Sequence, residues 1–255
     1  YSSLARHRKN NSQLITFGFR GDFEEWFDHS EVSESTLAIV RPLIYSRGNA
    51  LQFSDLSLII NDIPTMRERL ALVRALARTR TQMARIRIFP NSDHLSIAKY
   101  WSTGRDPSRI ESLLNSVPRL EEGYALDIIH LLPNFARRLL YTYPLLDSPG
   151  QVSVRDCHWT SLNFTKPEID NSLADMTEVQ RQYQQGYYHT TETPQFGDIL
   201  LFVEPNGTVL HSCVQIADTL VFTKNGTSLA NPWILMQLPD VLALYPSEAG
   251  VDSLR

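Results

Sequence analysis

Pro205-Asn206-Gly207-Thr208 separates two apolar runs, 198–204 and 209–216, and this is the strongest constraint on the fold of the 255-residue chain. Asn-Gly between two such runs is the clearest short-range signal for a β-hairpin, because a tight two-residue turn asks for positive φ at both central positions. The two runs are therefore expected to pair antiparallel. Asp218-Thr219 turns the chain again and predicts a third strand through Thr223. Asn225-Gly226 ends that strand, and residues 233–245 supply one or two further strands. A helix beginning near Cys157 precedes them, followed by a polar stretch from 166 to 195.

The half before this reads differently. Residues 1–30 form a polar arm with an aromatic patch, Phe23 to Phe27, that could dock on another surface. Residues 31–148 read as a mainly helical domain. Thr65-Met66-Arg67-Glu68 is a capping box, and Leu70, Val73, Leu76 and Ala77 recur behind it at helical spacing. Arg85-Ile86-Arg87-Ile88 alternates as a short strand. Asp106-Pro107 starts another helix, and a last one is expected from Tyr124 through Leu140. Asp147-Ser148-Pro149-Gly150 is the strongest punctuation in the chain. It places a boundary between the helical part and a domain over 149–255. The expected class is α+β.

Hydrophobic residues make up 42% and charged residues 20% of the chain, enough for a substantial core. A net charge of −4 gives no electrostatic case for nucleic acid or an anionic membrane as partner. No window approaches a transmembrane span. The seven arginines from Arg67 to Arg87 read as a solvated helix face, with binding of an anionic partner as the alternative. There is no Cys-x-x-Cys, no His-Glu-x-x-His, no phosphate-binding glycine loop and no nucleophile elbow, so no metal or cofactor is expected. The sequence opens on Tyr1, which fits removal of an export signal as well as trimming. A periplasmic or extracellular location is the expectation.

With only two cysteines there is no disulfide framework. Cys157 lies at a predicted helix start, behind an extended Val152-Ser153-Val154, where unpaired amides and the helix dipole favour a thiolate. A thiol nucleophile also needs a base within hydrogen-bond reach, and histidine suits this best. Of the seven histidines, His158 is next to the cysteine and turned roughly 100° away on a helix. His211 sits mid-strand in the meander and is the preferred base. A satisfied core histidine is the alternative.

Asp156-Cys157 at a helix start, Gly197-Asp198-Ile199-Leu200 opening a strand and His211 on the next strand together resemble the NlpC family of papain-like cysteine peptidases, over residues 140–245. The resemblance implies a nucleophile helix packed on an antiparallel meander. It implies hydrolysis of amide bonds in peptides of bacterial cell-wall type. Three departures stand out: His158-Trp159 replaces the usual Ser-Gly, Ser212-Cys213-Val214 replaces Val-Gly-Ile, and the usual histidine about twelve positions after His211 is Thr223. A two-residue turn at Asp218 would put Phe222 and Lys224 on the face of His211, whereas a bulge would put Thr223 and Asn225 there. Thr223 is favoured by spacing and Asn225 by chemistry, since lysine cannot accept the imidazole N–H. The resemblance also offers Tyr143, with the Cys157 backbone N–H, as oxyanion donors.

Cys213 shares a strand face with His211. It is either a partner for a disulfide with Cys157 or a small buried apolar residue. Two other outcomes fit the same fold: a thiol acyltransferase or amidase on a small or lipid substrate, and a non-catalytic binding module.

Overall fold

Thr65 opens a helix over Met66–Leu76, and its hydroxyl accepts the Glu68 backbone N–H at 3.2 Å. The reciprocal half of the capping box does not form, because the Glu68 carboxylate takes the hydroxyls of Ser33 and Thr36 instead. The computed structural model describes residues 15–17, 23–47, 50–78, 81–103, 106–144, 155–245 and 251–255. The chain forms two compact units, one of residues 1–80 with 228–231, the other of 81–227 with 232–255.

The first unit is mixed rather than mainly helical. Ile15–Phe17 (β1), Tyr45–Arg47 (β2) and Ala50–Phe53 (β3) form an antiparallel sheet in the order β1-β3-β2. The stretch expected as a polar arm contributes a helix, Phe23–Phe27. Phe27 is buried, and the Trp26 indole donates to Ala75 O at 2.8 Å. Val40, Phe53, Ile63 and Leu72 form the centre of this core.

In the second unit, Arg85–Ile88 (β4) is the strand that its alternation predicts, and it pairs antiparallel with Tyr124–Asp127 (β5). The helix expected from Tyr124 through Leu140 is therefore confined to Asn134–Leu139. Pairing with β4 claims its first residues, and the Asp127 carboxylate then caps a short turn by taking the Ile129 N–H at 3.0 Å. Helices His94–Trp101 and Ser108–Ser116 are started by Asp93 and Asp106, each accepting a backbone N–H at 3.0 Å. Ala98, Trp101, Leu114 and Phe135 join the same core as Trp159 and Phe164. The unit thus takes in residues on both sides of the expected boundary at 147–150, which itself lies outside the described residues, as does the extended 152–154.

His189–Thr190 (β6), Ile199–Val203 (β7), Val209–Ala217 (β8), Leu220–Lys224 (β9), Trp233–Gln237 (β10) and Val251–Leu254 (β11) form an antiparallel sheet in the order β10-β9-β8-β7-β11-β6. The class is α+β. The hairpin joins β7 to β8 as expected, but only Gly207 takes positive φ, at 84°. Asn206 Oδ1 accepts the Thr208 N–H, and the extra loop residues are absorbed by a register shift at Phe202/Val203. Gly197 opens β7 at φ 94°, where an added Cβ would come 2.6 Å from Thr103 Cγ2. Only glycine fits there.

Alternation divides the sheet into two faces. Ile199, Leu201, Val214, Phe222, Trp233 and Leu235 pack with Trp159 and Leu162 of the helix Cys157–Asn163. Leu200, Phe202, Cys213, Val221, Ile234 and Met236 pack with Val241 of the helix Leu238–Leu244. That second helix replaces part of the strand expected over 233–245. Pro239 suits a first helical turn, and Leu238, Val241 and Leu242 share one helical face.

Candidate active site

Asp156 fixes the start of the Cys157 helix: its carboxylate accepts the Trp159 N–H at 2.8 Å. Cys157 is the first helical residue and is only 5% exposed. The thiolate expected at this position is not the resting form. Burial, and then the Asp156 charge, push the thiol up to about 11, against backbone N–H donors from Ser212, His158 and Cys157 itself.

His211 is fully buried in β8, and its Nε2 lies 2.9 Å from Thr223 Oγ1. Its ring stacks on Tyr245 at 4.0 Å and 4°, with Phe202 edge-on at 5.5 Å. Burial, and then the neighbouring His158, hold its pKa down to about 3. Nδ1 has no hydrogen-bond partner among the described residues. The expected thiol–imidazole hydrogen bond is therefore not made. Strand alternation explains this: His211 sides with Phe202 and Cys213, while Ser212 faces the Cys157 helix. The Ser212 amide of β8, one residue from the imidazole, is among the backbone groups that favour the Cys157 thiolate.

Of Thr223, Lys224 and Asn225, it is Thr223 that lies beside His211. A bulge between Gln215 and Ala217 pairs Val214 with Phe222, so Thr223 alternates onto the face of His211 and Lys224 onto that of Ser212. Asn225 follows β9, and its side-chain amide is directed at Met236 Sδ, 3.3 Å away. Lys224 is buried, donates to Gly226 O at 2.7 Å and lies 5.9 Å from the Trp233 ring centroid. Tyr143 is half-buried and follows Tyr141-Thr142, whose backbone pairs with Trp233 at the start of β10. Cys157 and Cys213 are both free thiols, and Cys213 is wholly buried in the sheet core.

Three residues of the site are not legible in the spacing. His158 Nδ1 lies 3.0 Å from Ser212 Oγ and 3.1 Å from Tyr183 OH. Tyr183 belongs to a helix, Met176–Gln185, inside the stretch read as polar. Asp175 before it, Gly186 behind it and Val179 one turn ahead of Tyr183 are the signals that could have revealed that helix. Asp198 of the Gly-Asp pair is occupied structurally: Arg255 Nε and Nη2 reach its two oxygens at 3.0 and 2.9 Å.

Among the described residues no helix is long and apolar enough to cross a membrane, and no three His, Cys, Asp or Glu side chains group as metal ligands. Compared with known proteins, the sequence matches no family model and no curated protein.

Proposed function

We propose that the second unit is a papain-like cysteine hydrolase of NlpC type, attacking amide carbonyls through Cys157. One observation carries this reading. The imidazole of His211 is held by Thr223 at Nε2 and keeps Nδ1 unpartnered among the described residues, and the amide of the next residue, Ser212, is among the backbone groups that favour a Cys157 thiolate. With Nε2–H donating to Thr223, the lone pair is on Nδ1, where a general base needs it.

The chemistry follows from those positions. Substrate carbonyl carbon and sulfur form a bond as the thiol proton passes to His211 Nδ1. His211 and the Cys157 helix lie on opposite sides of β8, so this transfer requires the imidazole or the helix start to rearrange when the substrate binds. The amine leaves with that proton, and His211 then takes a proton from the water that hydrolyses the thioester. The thiol and imidazole both start neutral, so the proton moves during attack. The resemblance adds the substrate class, a cell-wall peptide, a site outside the cytoplasm, and Tyr143 as oxyanion donor.

A second reading has its own observation. The burial of Cys157 and His211, with a thiol held protonated to about pH 11, suits a non-catalytic module that retains the layout. Incubation with purified cell-wall peptides, with thiol labelling resolved by peptide mass spectrometry, separates the two. The hydrolase reading expects new amine termini, Cys157 labelling faster than Cys213, and slower labelling in His211→Ala. It is lost if Cys157 labels no faster than Cys213 and His211→Ala changes nothing.

A further inference from the structure

We propose that His158 is a positioning residue for the Cys157 sulfur, acting through Ser212. His158 Nδ1 gathers two hydroxyls from two other elements, Ser212 of β8 at 3.0 Å and Tyr183 of the 176–185 helix at 3.1 Å. His158 is 5% and Ser212 0% exposed, so bulk water does not compete for these bonds. Either hydroxyl can donate to the single lone pair of an unprotonated Nδ1, which leaves the ring proton on Nε2.

The consequence is mechanical as well as electrostatic. The helix start is clamped to β8 at Ser212, whose amide is among the backbone groups that favour the Cys157 thiolate. A thiolate gains from each N–H aimed at it, and burial opposes it. Holding Ser212 in place therefore decides how much of that gain survives. The titratable neighbours of His158 are Cys157 and Asp156 on its own helix, Tyr183 on the 176–185 helix and His211 on β8. Lys224 on β9 acts on the same Asp156. Protonation of His158 would turn Nδ1 into a donor and reverse the direction of its hydrogen bond to a hydroxyl. Its burial holds that event below the ordinary histidine range.

The inference rests on the hydrolase reading only in taking the Cys157 sulfur as the reacting atom. Its test needs no substrate: iodoacetamide labelling of Cys157 in the full chain, resolved by peptide mass spectrometry, from neutral to strongly alkaline pH. His158→Leu is expected to displace the profile upward by about one pH unit, slowing labelling about tenfold at neutral pH. Asn places Oδ1 where Nδ1 stood, so His158→Asn should stay within about threefold of the parent, because it keeps the acceptor. A parent-like profile in His158→Leu, or an Asn variant as slow as the Leu variant, overturns the proposal. If His158→Leu does not fold, Ser212→Ala and Tyr183→Phe decide: slowing in both supports the clamp, and parent-like profiles in both overturn it. His211→Asn is the separate arm. If it labels like the parent while His158→Leu is slow, the base role of His211 falls and the clamp stands.

Discussion

His211 Nε2 and Thr223 Oγ1 lie 2.9 Å apart between neighbouring strands, and both residues are fully buried. The threonine hydroxyl is the imidazole's hydrogen-bonding partner on that side. It holds Nε2 toward β9 and so aims Nδ1 away from that strand.

Thr223→Val should leave Nε2 buried without a partner and lower the unfolding free energy by about 1–3 kcal/mol. Thr223→Ser keeps the hydroxyl and should lose much less. Urea unfolding of the three proteins measures this. Equal stability for the valine and serine variants would show that the bond contributes nothing.

Burial of His211 makes stability depend on pH in a fixed direction. The folded pKa of about 3 is below the ordinary 6.5, so the unfolded chain binds the proton more tightly. The stabilisation is present above pH 6.5 and is lost as pH falls toward 3. Each unit of that fall costs up to about 1.4 kcal/mol. His158 is shifted in the same direction and adds to the slope. Urea unfolding from neutral to mildly acidic pH should show a steep loss in the parent and a shallower one in His211→Gln.

Lys224 is buried near Asp156 and Cys157, and burial lowers its ammonium to about 8 from an ordinary 10.5. Between those values the unfolded chain holds the extra proton, so this lysine's contribution to stability rises with pH across that window and is at its least favourable at pH 7 and below. Lys224→Met should therefore be more stable than the parent at neutral pH, by about 1–3 kcal/mol. The difference should narrow as pH rises from 8 to 10.5. A methionine variant less stable than the parent at neutral pH would show that the ion's partners outweigh its desolvation.

Arg255 covers the carboxylate of Asp198, whose side chain is 5% exposed. Arg255→Met leaves that charge buried and should cost about 3 kcal/mol. The double variant Asp198→Leu, Arg255→Met removes the unpaired charge and should recover most of the loss. A thermal-shift comparison of the parent, single and double variants gives the coupling. Additive losses would mean that the two side chains do not depend on each other.

Much of the frame is written locally. Thr65, Asp106 and Asp156 start helices because each carboxylate or hydroxyl reaches an amide only two or three residues away. Gly207 and Asp218-Thr219 turn strands for similarly local reasons, and the choice of Cys157, His211 and Thr223 follows from their place on such elements. The residues that sequence spacing hid are those held by distant partners. His158 meets Tyr183 25 positions away and Ser212 54 positions away.

Three outcomes belonged to the tertiary structure alone. A bulge at Gln215/Ala217 set Thr223 rather than Lys224 beside His211, a one-residue choice that alternation converts into opposite faces of a sheet. Leu238–Leu244 became a helix because Val241 finds its cover on the face of Cys213 and Met236. The thiol of Cys157 stayed protonated because burial and Asp156 outweighed the amides at its helix start. Caps, turns and alternation depend on neighbours in the chain and were therefore legible there, whereas register, burial and the charge state of a buried group depend on what the rest of the fold brings against them.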